Sequence, residues 1–286
     1  MLACLIDGKI VSGSDASISV MDHGLLYGDG VFEGLRFYQG RLFCLDEHLD
    51  RLSRSAKAIG LITPMSHERI TQDLQIAIKA SKIQEGYIRL IITRGVGALG
   101  INPLTCRDGK TIIIVDRLQI VSASAAKQGA RLIIASTRRF AADQLDPRIK
   151  SLNYLNQIMA KREALSAGAD EAIMLNQNGN VAEGSADNVF IVENGALRTP
   201  PSSDGALEGI TRNIVIKIAK KLGIACFESS LSPYDLSAAD ECFLSGTGAE
   251  LIPVSSIGDC DLPTIRSVFD KIQAEFVKLT YGQNRI

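Results

Sequence analysis

The chain has no tryptophan, only three histidines and 5% aromatic residues in 286 positions. It also has no charge excess, because 31 basic residues against 32 acidic ones leave a formal net charge of -1. Without a basic stripe or a run of like charges, a nucleic-acid partner is excluded. The longest apolar stretches, such as Ile112-Ile113-Ile114-Val115, fall far short of the ~20 residues that cross a bilayer. No membrane role is therefore expected. The start, Met1 to Lys9, reads as a short strand with an Asp-Gly turn and not as a secretory signal, so the expected location is cytoplasmic. Six scattered cysteines (Cys4, Cys44, Cys106, Cys226, Cys242, Cys260) form no Cys-x-x-Cys pair. With so few histidines, neither a disulfide framework nor a zinc site is expected, and the thiols read as reduced and buried. No repeat or low-complexity tract is visible.

What remains is a chain with 46% hydrophobic and 22% charged residues, enough to bury a sizeable core. Its length suits one large domain or two ordinary ones. The pattern is mixed α/β (α+β), with strands and helices in both halves. Asp7-Gly8 links two short strands. Asp46 to Ile59 has apolar residues at helical spacing, and a second helix covers about Met65 to Ser81. Strands follow at Gly86 to Arg94 and Thr111 to Val115. The pattern then weakens into small residues, which places a small α/β domain at 1–116, a linker at 117–128 and a larger, cofactor-binding domain at 129–286. In the second half, strands are expected at Ala130 to Ser136, Glu171 to Leu175, Asn188 to Glu193 and Glu241 to Ser245. Helices are expected from the Lys150 segment to about Ala167, from Thr211 to Leu222, and from Leu262 to about Lys278.

Three features call for a joint explanation. Lys150 lies in Arg148-Ile149-Lys150-Ser151-Leu152-Asn153-Tyr154-Leu155-Asn156, read as the opening of a helix. Alone, such a lysine is a solvated surface residue. A lysine amine moves protons where burial or positive neighbours ease its deprotonation, and Arg148 is such a neighbour. Glu183, in Val181-Ala182-Glu183-Gly184-Ser185, reads as an acid in a small-residue turn that a planar ring can approach. An exposed turn glutamate fits that segment equally well. Glu208-Gly209-Ile210-Thr211-Arg212-Asn213 opens a helix whose first N–H groups suit an anion, although Thr211 also reads as an ordinary N-cap. A second anion candidate, Ser245-Gly246-Thr247-Gly248-Ala249-Glu250, follows the apolar Cys242-Phe243-Leu244. Arg51 offers the planar fork that suits phosphate; the plainer reading is a surface arginine paired with Glu47. A lysine amine, an acid and an anion cup are what a pyridoxal phosphate enzyme gives its cofactor.

The runs KSLNYLNQIMAKREA, EAIMLNQNGNVAEGSADNVFIV, LEGITRN and FLSGTGAELIPV together resemble the fold-type IV pyridoxal phosphate enzymes, and within them the branched-chain amino acid aminotransferases. The resemblance runs from Asp22 to about Val254. It implies a two-domain fold, pyridoxal 5'-phosphate as cofactor, and a homodimer or larger homo-oligomer. By that resemblance Lys150 bonds the cofactor, Glu183 partners the pyridine nitrogen and Tyr154 lies near the phenolic oxygen. Arg51, Gly209, Ile210, Thr211, Gly246 and Thr247 hold the phosphate, with Leu207 packed on the ring. The run Tyr27-Gly28-Asp29-Gly30-Val31-Phe32-Glu33-Gly34-Leu35-Arg36 and the triplet Tyr87-Ile88-Arg89 resemble the branched-chain subgroup. They imply that Tyr27 and Phe32 contact an aliphatic side chain, with room left by Gly34, and that Arg36, Tyr87 and Arg89 complete the substrate site. Arg89 would take the second carboxylate of 2-oxoglutarate. The Leu99-Gly100-Ile101 loop would present backbone N–H groups to the α-carboxylate, with Thr247 and Gly248 nearby. The implied partners are small amino acids and 2-oxo acids.

Two features depart from the pattern: the segment from Ser255 to Pro263 is shorter than usual, and the tryptophan that some relatives carry is missing. Two alternatives share the lysine and the cup. D-amino acid transamination calls for a carboxylate-trapping arginine and histidine after residue 86, where Arg94 is present but no histidine follows His67. Cleavage of 4-amino-4-deoxychorismate leaves the Arg36 and Arg89 pair without a task. A vitamin-binding protein without catalysis has no use for a proton-carrying Lys150.

Overall fold

Alternating apolar residues in Gly30–Tyr38 organise the first of two compact units. The computed structural model describes residues 2–117 and 128–282. Its contacts group Met1–Leu118 with Ile149–Asn153, and Gln119–Arg148 with Tyr154–Ile286. Most of the expected linker, 118–127, lies outside the described residues.

The first unit contains β1 (Ala3–Ile6), β2 (Lys9–Val11), α1 (His23–Tyr27), β3 (Gly30–Tyr38), β4 (Arg41–Leu42), α2 (Leu45–Ala58), α3 (His67–Ser81), β5 (Gly86–Thr93) and β6 (Thr111–Asp116). The strands form one sheet in the order β2-β1-β6-β5-β3-β4. The two-residue period sends Val31, Leu35, Phe37, Ile88, Leu90, Ile92, Ile113 and Val115 to one face. There they pack with Leu49 and Leu52 of α2 and Ile70 and Leu74 of α3. The opposite face of β3 and β5 carries Phe32, Gly34, Arg36, Tyr87 and Arg89.

β4 covers only Phe37 and Tyr38, which leaves the start of β3 with an open edge. Residues 150–152 fill it. Phe32 N–H donates to the Lys150 carbonyl and Leu152 N–H to the Gly30 carbonyl, each at 3.0 Å, with Ser151 bridged antiparallel to Val31. Lys150 is therefore extended and does not open a helix. Its own N–H is taken by Ser55 Oγ at 3.1 Å, and the helix begins only at Leu155. The segment was expected in the second domain; this edge pairing groups it with the first unit.

The second unit contains β7 (Ala130–Ile134), α4 (Leu155–Ser166), β8 (Glu171–Leu175), β9 (Val181–Gly184), β10 (Asn188–Glu193), β11 (Ala196–Thr199), α5 (Ile210–Lys221), β12 (Cys226–Glu228), α6 (Pro233–Ser237), β13 (Glu241–Gly246), β14 (Glu250–Ile257), β15 (Cys260–Asp261) and α7 (Ser267–Tyr281). The sheet order is β12-β11-β10-β13-β14-β7-β8-β9, with β15 on β14. β8 is buried throughout and β10 in all but its last residue, as expected of near-continuous apolar runs covered on both faces. Helix α4 packs on β8, while α5 and α7 pack on β13 and on each other. Val181–Gly184, expected as a turn, is a strand because its backbone pairs with β8, Met174 opposite Glu183. All six cysteines are free thiols, but only Cys4 and Cys242 are buried, the other four being half-buried. Burial pushes the Cys242 thiol up to about 12. Among the described residues, no helix is long and apolar enough to cross a membrane.

The last helix starts at Ser267, later than the expected Leu262. A remote acid decides where: the buried Glu241 carboxylate of β13 accepts from Val268 N–H at 2.9 Å and Phe269 N–H at 2.8 Å. Negative charge at this positive helix end is favourable. Replacing Glu241 by alanine leaves two buried donors unpaired, which costs about 1–3 kcal/mol. The expected result is a lower urea midpoint with an unchanged slope; an unchanged midpoint refutes the capping role.

Candidate active site

In the first unit, Lys150 stands on the Phe32 side of the sheet. Its backbone is opposite Phe32, and its Nζ lies 4.6 Å from the Phe32 ring centroid. The same ring receives the Arg89 guanidinium at 4.5 Å, and Tyr87 flanks that guanidinium at 5.6 Å. Arg89 Nε is buried without a hydrogen-bond partner, and among the described residues Arg89 forms no ion pair. A guanidinium bracketed by aromatic rings and unpartnered at Nε has the chemistry to take a carboxylate.

Three expected roles change here. The space beside Gly34 is filled by Tyr87: a Cβ at position 34 would lie 2.1 Å from the Tyr87 hydroxyl and 2.8 Å from the ring carbon bearing it. The glycine thus admits the Tyr87 ring, and it does not itself open a void for substrate. Gly100 N–H, expected to meet a substrate carboxylate, donates to the Tyr27 hydroxyl at 2.8 Å. Tyr27 in turn stacks edge-on against His23, whose Nε2 lies 2.9 Å from the Ala98 carbonyl, so α1 holds this loop. Arg148, expected to bring positive charge to Lys150, is paired with Asp146 through its Nε at 3.0 Å. Arg36 is half-buried and sits across the ladder from Tyr87.

Arg51 is neither on the surface nor paired with Glu47. It is 4% exposed and forks onto Glu33, Nε to Oε1 at 2.7 Å and Nη2 to Oε2 at 2.8 Å. His48 Nδ1 also reaches Glu33 Oε2, at 2.7 Å. Glu33 lies on the core face of β3, where an uncompensated charge is costly. Burial raises its pKa, but Arg51 and His48 outweigh that and bring it down to about 2. Burial takes His48 below its usual value despite Glu33. Beside an ionised carboxylate, which can only accept, His48 must donate from Nδ1. Glu33 and His48 had no assigned role in the sequence; the available signal was a charged residue at an inward position of an apolar strand.

In the second unit, Glu183 is buried on β9 and is not an exposed turn acid. Its Oε1 accepts from Arg139 Nε at 2.9 Å and its Oε2 from Leu207 N–H at 2.8 Å. Asn188 Nδ2 donates to the Leu207 carbonyl at 2.9 Å, so Leu207 is held at both its N–H and its carbonyl. Helix α5 begins directly after Gly209, the N-cap, with no side-chain cap; Thr211 lies inside the first turn and does not cap it. A Cβ on Gly209 would come within 1.9 Å of Asn188 Oδ1, and one on Gly246 within 2.0 Å of Asp187 Oδ1. Consecutive residues Asp187 and Asn188 therefore lie against both expected anion segments, the helix start at Ile210–Thr211 and the β13–β14 turn with Thr247 and Gly248. Tyr154 is half-buried and immediately precedes α4.

These groups fit pyridoxal phosphate. Each Glu183 oxygen takes one protein donor, and a carboxylate has room for about four, so a pyridine N–H can be accepted. An uncapped helix start leaves free N–H groups of the kind that suit a phosphate. Arg139 had no assigned role; its signal was that a buried acid needs a cation.

Glu33 also sets a pH dependence. Its folded value lies below the ordinary 4.5, so the stability it contributes is full above 4.5 and lost as pH falls towards 2. Glu33→Gln should cost about 3–5 kcal/mol at neutral pH. The gap between wild type and variant should narrow below pH 4.5 in urea unfolding; a gap independent of pH refutes this account.

Known proteins match along nearly the whole chain. A provisionally named branched-chain-amino-acid aminotransferase from Methanocaldococcus jannaschii is 47% identical over 252 residues, 88% of this chain and 86% of the relative. A D-alanine aminotransferase from Listeria monocytogenes is 36% identical over 263 residues, with the same two coverages, 88% and 86%. The crystal structure of the Escherichia coli branched-chain amino acid aminotransferase superposes with a TM-score of 0.95 at 34% identity, covering 99% of this chain and 96% of that one. The family model for class IV amino-transferases spans residues 30–257, and the chain belongs to that family.

Proposed function

We propose that this class IV aminotransferase moves the amino group of L-leucine, L-isoleucine and L-valine to 2-oxoglutarate, using pyridoxal phosphate. The observation that carries the substrate reading is Arg89, a guanidinium with a buried, unpartnered Nε on a wall made by Phe32 and Tyr87. An aliphatic side chain and a γ-carboxylate must use one pocket in turn, and an arginine on an aromatic wall serves both. Arg94 argues against a D-amino acid trap, because its guanidinium is forked on Asp29 at 2.9 Å and donates to the Ile59 and Gly60 carbonyls at 2.7 Å. A lyase needs no site for two alternating substrates.

When bound, pyridoxal phosphate supplies the electron sink that makes a substrate Cα proton removable. In this reading Lys150 Nζ would hold the cofactor covalently between turnovers and, as the freed amine, would carry the substrate Cα proton. Glu183 would accept from the pyridine N–H, Tyr154 would meet the phenolic oxygen and Leu207 would pack on the ring. Ile210, Thr211 and Thr247 would hold the phosphate with Arg51, while Gly209 and Gly246 would leave backbone room. Tyr27, Phe32, Arg36 and Tyr87 would line the substrate side. The reading extends to a cytoplasmic enzyme of a small domain and a larger cofactor-binding one, working as a homodimer or larger assembly. Leu99, Ile101 and Leu104, 75–85% exposed in the first unit, offer an apolar surface for that assembly.

Mixing the purified holoenzyme separately with L-leucine, D-alanine and aminodeoxychorismate, and following the cofactor absorbance, tests the substrate class. L-leucine alone should bleach it; a response confined to D-alanine overturns the proposal. Borohydride reduction should leave the label on Lys150, and a label elsewhere removes that residue from the role. Arg89→Leu forfeits a charge-assisted contact of about 1.5–3 kcal/mol. It should raise KM for 2-oxoglutarate roughly 10–150-fold, with the leucine half-reaction little changed. Equal losses in both half-reactions contradict the carboxylate role.

A further inference from the structure

The contact between Arg139 and Glu183 has an unusual form. An arginine facing a carboxylate commonly forks onto both oxygens. Arg139 gives Glu183 only its Nε, and the second oxygen is left to a neutral donor, Leu207 N–H. The other end of the guanidinium faces neutral amides. Nη1 is 3.4 Å from Asn156 Oδ1, and the Gln157 side-chain oxygen, in the amide orientation that satisfies both groups, lies 2.9 Å from Nη1 and 3.3 Å from Nη2. Arg139 is also held along its length. Its N–H donates to the Leu175 carbonyl at 2.9 Å, its carbonyl accepts from Gln177 Nε2 at 3.2 Å, and its Cγ lies 3.3 Å from where a Cβ on Gly205 would be. Both members of the pair are buried, with side chains 6% and 8% exposed.

We propose that Arg139 is a positioning residue that fixes the Glu183 carboxylate and, through its single charged contact, keeps the shared proton on the pyridine nitrogen. This rests on the reading of Glu183 as partner of that nitrogen. A buried carboxylate with no compensating cation draws a bound proton towards itself, and the ring then loses the positive charge that makes it an electron sink. The Arg139 charge counters that pull. A bidentate fork would bring the same charge but would also claim Oε2, leaving less acceptor capacity for the ring N–H. Asn156 and Gln157, in the first turn of α4, hold the guanidinium in the one-contact arrangement.

The test reads the proton directly. Holoenzyme is loaded with cofactor carrying 15N in the ring, and the ring resonance is followed against pH in wild type, Arg139→Gln, Arg139→Lys and Glu183→Gln. Arg139→Gln should move the resonance towards that of neutral pyridine and slow Cα proton removal at least tenfold, with KM for leucine changed less than threefold. Arg139→Lys, which keeps the charge, should recover at least half of the resonance shift. If Glu183→Gln leaves the resonance in place, the assignment of Glu183 fails and the proposal falls with it. If Glu183→Gln moves it and Arg139→Gln does not, only the Arg139 proposal is overturned. Should Arg139→Gln not fold, Gln157→Leu, which frees the guanidinium without removing it, carries the same criterion with a smaller shift.

Discussion

Three residues added to the open edge of β3 determine where Lys150 stands. Two backbone hydrogen bonds and one bridge pair residues 150–152 with Gly30, Val31 and Phe32. Because side chains alternate across a strand, this register puts Lys150 on the same face as Phe32 and Ser151 on the face of Val31. A slip by one residue would turn the amine into the hydrophobic face packed by α2 and α3. The Lys150 backbone is thus held by main-chain pairing with β3 and by Ser55 Oγ.

The same sheet explains how charge is tolerated so close to a core. Glu33 follows Phe32 and must therefore point the other way, among leucines and isoleucines. It is stable there only because one turn of α2 brings both Arg51 and His48 to it. Glu183 repeats the solution in the second unit with different parts, an arginine on one oxygen and a peptide N–H on the other. In both places the acid is ordered by donors on each oxygen, which is what a carboxylate must have to keep one geometry in a low-dielectric setting. Arg94 is the reverse case, a cation whose donors are taken up by Asp29 and two carbonyls closing α2. Arg89, by contrast, lies against the Phe32 and Tyr87 rings with its Nε unpartnered.

Local pattern was a sound guide wherever an element's own residues decide its form. Glu171–Leu175 and Asn188–Glu193 are strands at the bounds their apolar runs indicate, and α2 and α3 follow their helical spacing to within two residues at each end. Where a partner remote in sequence decides, the pattern misled. The Lys150 segment has a helix-like sequence yet is extended, because β3 offers an unfilled edge and Ser55 takes the lysine N–H. Val181–Gly184 has turn-like composition yet is a strand, because β8 pairs with it. Helix α7 starts late because Glu241 receives its first N–H groups.

By itself, then, the sequence determined the mixed α/β character, the order of the periodic elements, and the residue types that chemistry on a pyridine ring requires: a lysine, an acid and two glycine-bearing anion segments. Those follow from short-range periodicity and from side-chain chemistry, which need no neighbours to be read. Only the tertiary structure decided that the Lys150 segment pairs with the edge of β3, that Gly34 is filled by Tyr87, that Arg51 is buried against Glu33, and that Arg139 holds Glu183. Each of these depends on a contact between residues far apart in the chain. Such contacts are set by backbone pairing and by the need to compensate buried charge, and neither leaves a mark within a short window of sequence.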